Sequence, residues 1–300
     1  MTGARSPRLR RQWRGGALAL AAALTALGVA LDASPALPRL PGLPGSAAVQ
    51  WAVPTAAAGG FVVWFCRRHL DANRRDPTTG TSEEGSRASE EGSGTSEEGS
   101  GTSEEGSGTE GERPRRYATL GLANAVTVAR GGLFAAVAGF AAVEPAGRVV
   151  WLPALCYGTG CLLDLADGAI ARRRGRTTVL GAKLDMAVDT LGFLVAPVVA
   201  VVWGRLPVWY LSLSAARYLF KAGRGYRRAR GRPVYDLPSS AVRRPLAGVQ
   251  MAFISVALAP VLPVATVRAL AAVVLAPSLA VFARDYLVVS GRLSAGDDGG

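Results

Sequence analysis

The chain has 300 residues, 49% of them hydrophobic and only 19% charged, with a mean hydropathy of +0.23, too apolar for an ordinary soluble domain and long enough for several membrane spans. Its three cysteines, Cys66, Cys156 and Cys161, lack CxxC spacing and its one histidine is His69, which argues against zinc centres, disulfide frameworks and histidine-based catalysis. The net charge of +12 is unevenly spread: residues 77–112 hold ten glutamates against the single Arg87, so the remainder is strongly basic, and its arginines sit between apolar runs rather than on a polar nucleic-acid-binding domain.

The first uncharged run, at 15–31, follows Arg5, Arg8, Arg10, Arg11 and Arg14. Its length suits the hydrophobic region of a secretory signal with Ala33 or Ala36 at the cleavage site. A second uncharged run at 46–66, closed by Arg67 and Arg68, favours an uncleaved two-helix membrane hairpin over residues 1–75 with both ends in the cytoplasm. The unit GTSEEGS then repeats, at 94–100 and 101–107, with almost nothing apolar to bury, so residues 76–112 read as a disordered, self-repelling tether.

From residue 113 the apolar runs resume at 120–143, 149–171, 181–204, 206–224, 245–262 and 264–290. Each is close to the ~20 residues of a spanning helix, and six passes over 113–292 leave a short tail at 293–300 on the side where the block began. The predicted inner segments hold 27 of the 34 basic residues, and the outer turns only Arg39, Arg148, Arg205 and Arg268. That imbalance predicts a cell-membrane protein with both termini in the cytoplasm.

The second span of the block ends in Asp164, Asp167, Gly168, Ala171 and Arg172, and the third opens with Gly181, Asp185 and Asp189. Spacings of three and four residues put each aspartate pair on one helix face. A short turn makes the two helices antiparallel neighbours, so four carboxylates converge at one depth near the cytoplasmic boundary. So many acids in a poorly hydrated place need positive charge among them. Oxygen-only ligation favours two Mg²⁺ or Mn²⁺ ions, a phosphate clamp for in-line displacement. Gly168 and Gly181 leave room for a nucleotide or pyrophosphate, Ala171 keeps the helix face low, and Arg172 offers a donor fork for phosphate.

The pattern D-x2-D-G-x2-A-R-x8-G-x3-D-x3-D across Asp164, Asp167, Gly168, Ala171, Arg172, Gly181, Asp185 and Asp189 resembles the motif of the CDP-alcohol phosphatidyltransferases. Asn124, Thr127 and Arg130 resemble the family's N-x2-T-x2-R stretch. The resemblance covers about residues 113–292. It implies an all-α, polytopic integral membrane enzyme of phospholipid biosynthesis, a homodimer with a six-helix bundle, here preceded by the two-helix hairpin. Such an enzyme moves a phosphatidyl-type (or archaetidyl-type) group from a CDP-linked lipid to an alcohol and releases CMP. It further implies that Asp164, Asp167, Asp185 and Asp189 bind the metals, with Asp189 also the general base. Thr127, Arg130, Gly168, Ala171, Arg172 and Gly181 then line the CDP site.

The acceptor is less well marked. Arg217, Lys221 and Arg224 share one face at the inner end of the fourth span, and Arg217 and Lys221 suit an acceptor phosphate as well as they suit simple positive-inside topology. Members of the family with phosphorylated acceptors often carry Lys or Arg directly after the last aspartate, where this chain has Thr190. Asp285 is expected to pair with its neighbour Arg284. Two other classes compete: a cation transporter, which predicts acids spread along a pore, and an inactive membrane scaffold, which predicts an incomplete set of aspartates. Nothing in the hairpin is tied to catalysis, so residues 1–112 are expected to be dispensable for the chemistry.

Overall fold

A computed structural model describes residues 7–33, 44–74, 117, 119–144, 146–174, 178–235 and 242–293, those at 167–174 and 244 by backbone alone. The acidic repeat at 76–112 and the tail after 293 lie outside the described residues. Among the described residues there are eight α-helices and no strand: α1 Pro7–Asp32, α2 Ala47–Arg68, α3 Leu122–Gly139, α4 Leu152–Arg174, α5 Val179–Val202, α6 Ser212–Ala229, α7 Arg243–Leu258 and α8 Val264–Val289. Six helical segments are long and apolar enough to cross a bilayer: Pro7–Asp32, Ala47–Arg68, Leu122–Ala142, Gly147–Ala166, Val179–Val202 and Val264–Val289. The fold is all-α and polytopic.

Two predicted spans differ from that set. The run at 206–224 becomes a 3-10 turn, Val208–Leu211, followed by α6. That helix extends to Ala229 and carries Arg217, Lys221, Arg224, Arg227 and Arg228, so its polar face exceeds what a lipid-surrounded helix carries. The apolar part of α7, Pro245–Leu258, is shorter than a full span.

Helix starts follow local chemistry. Ser46 caps α2, its hydroxyl accepting from the Val49 N–H at 3.4 Å, and Arg67 and Arg68 lie in the last turn, where the helix dipole favours cations. Thr178 caps α5 by accepting from the Gly181 N–H at 3.0 Å. Gly121, at φ 81°, turns the chain into α3.

The central helix is α3, packed against α2, α4 and α5. In hydrocarbon, helices associate through close packing and not through exclusion of water, which favours small residues at the contacts. A Cβ on Gly160 of α4 would lie 2.4 Å from the Phe134 ring, and one on Gly192 of α5 would lie 2.7 Å from it. The two glycines thus let both helices close on one buried aromatic of α3. On the other side, Gly139 receives the indole of Trp51, and Gly131 receives Val62, both from α2.

The end of the hairpin is tied down by hydrogen bonds. Buried Asn73 donates from Nδ2 to the carbonyls of Tyr117 and Thr119 at 3.0 and 2.9 Å, and its own carbonyl accepts from the Tyr117 N–H at 3.0 Å. The Val179 N–H donates to the Arg74 carbonyl at 3.1 Å. One short segment therefore holds both the entry to α3 and the first turn of α5.

Two of the four arginines expected in outer turns have structural work. Arg205 donates to the carbonyls of Ala257, Ala259 and Leu262, satisfying the end of α7, and Arg268 donates to the Gly204 carbonyl at 2.8 Å. The expected Arg284–Asp285 pair is corrected. Both oxygens of Asp285 accept from Arg243 of α7, at 2.8 and 2.9 Å, because adjacent residues on a helix point about 100° apart and α7 lies across the contact.

Candidate active site

Three of the four predicted aspartates meet at one end of the bundle. Asp164 comes from α4, and Asp185 and Asp189 from successive turns of α5, with one carboxylate oxygen from each lying within 4.8 Å of the others. All three are partly exposed, so the cluster opens outward from the helix contact.

Arg130 of α3 lies beneath them, fully buried. Its Nη1 approaches Asp164 Oδ1 at 2.8 Å and Asp185 Oδ1 at 2.6 Å, and its Nη2 approaches Asp189 Oδ1 at 2.7 Å. The planar guanidinium thus joins three helices through one cation. An arginine in that position is stable only because carboxylates surround it, and the carboxylates tolerate one another only because it is there. The N-x2-T-x2-R stripe suggests a phosphate contact for Arg130. In the structure its two terminal nitrogens are engaged by acids, and its buried Nε has no hydrogen-bond partner among the described residues.

Thr127, one turn earlier on the same face of α3, is buried and donates to the Ala123 carbonyl at 3.1 Å. Asn124 donates to the Leu120 carbonyl at 2.7 Å and to Thr178 Oγ1 at 3.3 Å. A Cβ on Gly181 would sit 2.6 Å from Asn124 Oδ1. The glycine therefore lets the first turn of α5 close on α3, and the space next to it holds Asn124. Asp167, Gly168, Ala171 and Arg172 fall in the last two turns of α4, and their side chains lie outside the described residues.

The α6 cations approach the same end of α5. Lys221 Nζ donates to Thr190 Oγ1 at 3.3 Å, directly beside Asp189 in the chain, and the Arg217 guanidinium stacks over the Phe193 ring at 5.2 Å. Thr178 and Asn73 were not marked by the motif. Thr178 is signalled only as a cap before an apolar run, and Asn73 by nothing in its neighbourhood.

An acid cluster of this kind, bridging a helix pair at the mouth of a membrane bundle, presents hard oxygen donors to a divalent cation. Arg130 holds Oδ1 of each carboxylate, and the three groups bring one oxygen apiece within 4.8 Å of one another, the oxygen-only donor set that a hard divalent cation takes. The residues present therefore fit such an ion.

No curated protein matches the chain. A family model described as CDP-alcohol phosphatidyltransferase matches residues 120–282, from just before α3 to the later half of α8. The match takes in Arg130, the three clustered aspartates, the last turns of α4 and the α6 cations, and it leaves out the hairpin. The chain belongs to the CDP-alcohol phosphatidyltransferase family.

Proposed function

We propose that this membrane transferase moves a phosphatidyl-type (or archaetidyl-type) group from a CDP-linked lipid to a small alcohol, releasing CMP, with its catalytic end in the cytoplasm of a cell-membrane homodimer. The observation that carries the reading is the convergence of Asp164, Asp185 and Asp189 from two helices on one point over a buried arginine. A cation pathway would distribute acids along the depth of the bundle. These acids share one end of it.

Asp189 takes the proton of the acceptor hydroxyl as that oxygen attacks the lipid-side phosphorus of the CDP diphosphate. The bond from that phosphorus to the bridging oxygen breaks, and CMP leaves. A carboxylate suffices as base because the proton is lost only as the new P–O bond forms. Asp164, Asp167, Asp185 and Asp189 hold two Mg²⁺ or Mn²⁺ ions, which when bound neutralise the diphosphate and the charge developing on the leaving oxygen. Arg130 keeps three of these carboxylates aimed at one point. Thr127, Gly168, Ala171, Arg172 and Gly181 belong to the cytidine and phosphate side of the site.

Lys221 and Arg217 line the acceptor side. The Lys221–Thr190 contact brings an ammonium to the residue that follows Asp189 in α5, so α6 supplies a positive charge where Thr190 itself has none. This favours an acceptor bearing a phosphate.

The test is CMP formation by the detergent-purified chain with CDP-lipid, Mg²⁺ and a panel of serine, glycerol phosphate, inositol phosphate and uncharged polyols. A phosphorylated alcohol is expected to support turnover. Lys221→Gln is expected to raise its KM about tenfold, the value of one charged hydrogen bond, with a smaller effect on kcat. Turnover with serine or an uncharged polyol alone, unaffected by Lys221→Gln, would overturn the acceptor assignment. No CMP with any acceptor would overturn the activity.

A further inference from the structure

A cavity of about 1050 Å³ runs between α1, α2 and α3. Its walls include Leu20, Leu24 and Leu27 of α1, Val62 of α2, and Ala129 and Leu133 of α3. At 100° per residue, the lining positions of α3 face away from Asn124, Thr127 and Arg130, so the helix separates this groove from the carboxylate cluster. Most of α3 is buried, yet Ala125 and Ala129 are exposed here. Helix α1 closes only part of the gap, where Leu20 presses on Gly132.

The two ends of the groove differ chemically. Gln12, Trp13 and Thr119 line one end, and apart from the thiols of Cys66 and Cys156 the other lining residues are aliphatic or glycine. At the polar end, Arg8, Arg10, Arg11 and Arg14 occupy the first turns of α1, and Arg67 and Arg68 the last turn of α2, all exposed. The Arg67 guanidinium stacks on the Trp13 ring at 5.7 Å. Against these six cations, Asp71 is the one acid in residues 7–31 and 47–74. An apolar slot at hydrocarbon depth, open sideways and basic at its interfacial end, matches a lipid chain below an anionic headgroup.

We propose that this groove is a second lipid site, holding an acyl chain of an anionic bilayer phospholipid whose phosphate meets the arginines at the start of α1 and the end of α2. The site joins the hairpin to the bundle and lies apart from the transfer chemistry, so it stands independently of the proposed reaction. A zwitterionic lipid fills the apolar part equally well but gains less from the cations, because its own ammonium offsets the phosphate charge, and that difference makes the site selective.

Trp13 reports on it directly. The full chain in detergent micelles is titrated with phosphatidylglycerol carrying brominated acyl chains, or with the matching phosphatidylcholine, and tryptophan quenching is followed. Phosphatidylglycerol is expected to quench at a mole fraction at least about fivefold lower, and Trp13→Phe to remove that high-affinity component. Ala129→Phe, which fills the slot, is expected to abolish it. Arg8→Gln, Arg11→Gln and Arg14→Gln together, all on the surface, are expected to bring phosphatidylglycerol to the phosphatidylcholine level with the thermal melting of the lipid-free protein unchanged. Equal quenching by the two lipids in the native chain would overturn the proposal. So would Ala129→Phe that leaves quenching intact but changes the oligomeric state, because the groove is then a protein contact.

Discussion

Asp189→Asn is expected to lower the rate of CMP release from CDP-lipid by about 10²–10⁴-fold, the range that a positioned general base contributes. The amide keeps the size of the side chain but cannot accept the acceptor proton, so the loss falls on kcat more than on the KM for CDP-lipid. The fold survives this change better than loss of the arginine. Arg130 keeps Asp164 and Asp185 at 2.8 and 2.6 Å, and the asparagine oxygen remains an acceptor for Nη2. The check is single-turnover CMP release by the variant alongside its elution as a monodisperse species in detergent. A variant that folds and turns over at the native rate would remove Asp189 from the chemistry.

Deleting residues 1–112 is expected to destroy the folded enzyme, although the sequence alone marks that region as dispensable. The hairpin is part of the packed interior: Trp51 of α2 is 1% exposed and Val62 is 1% exposed, and both seat on glycines of α3. Lipid chains are as apolar as these side chains, so the loss comes from shape-matched packing and not from exposure to water. Trp51→Ala is expected to cost about 2 kcal/mol or more through the cavity it leaves. The deletion adds loss of the Asn73 and Arg74 hydrogen bonds that hold the start of α3 and the first turn of α5. Since Asp185 and Asp189 ride on α5, looseness there reaches the site. Expression of residues 113–300, followed by size exclusion and CMP release, checks this; a monodisperse, active fragment would contradict it.

Helix positions were legible because membrane spans are written as long apolar runs between charges, and α3, α4, α5 and α8 fall within a few residues of the predicted runs. The reading of α6 was weaker for a physical reason. The first residues of the run form the 3-10 turn Val208–Leu211, and the cations Arg217, Lys221, Arg224, Arg227 and Arg228 carry the helix on to Ala229, so hydropathy marks neither end of α6. Tertiary partners were less visible still. Asp285 finds Arg243 across a helix contact, and Trp51 finds Gly139, pairings between helices that spacing along one helix cannot reveal.

The candidate site divides in the same way. Spacings of three and four residues, with a short turn, suffice to bring Asp164, Asp185 and Asp189 together, and the structure does so. Arg130 was visible as part of a polar stripe, but its partners were not: a cation on a separate helix carries no mark of whether it faces a phosphate or an acid. Gly181 shows a similar limit. A missing side chain makes room, but the sequence does not say that Asn124 is what fills it. Lys221 stood out only as one cation among several until its contact with Thr190 distinguished it.

The central claim, that carboxylates of α4 and α5 form a divalent-metal site, is tested most directly by Mn²⁺ binding to the purified chain, followed by electron paramagnetic resonance without substrate. The native protein is expected to take up Mn²⁺ in competition with Mg²⁺, with two ions close enough to broaden each other's signal. Asp185→Asn is expected to weaken that uptake by about tenfold or more, with unchanged elution in detergent. Mn²⁺ binding that is absent, or that survives loss of Asp185 undiminished, would contradict the account.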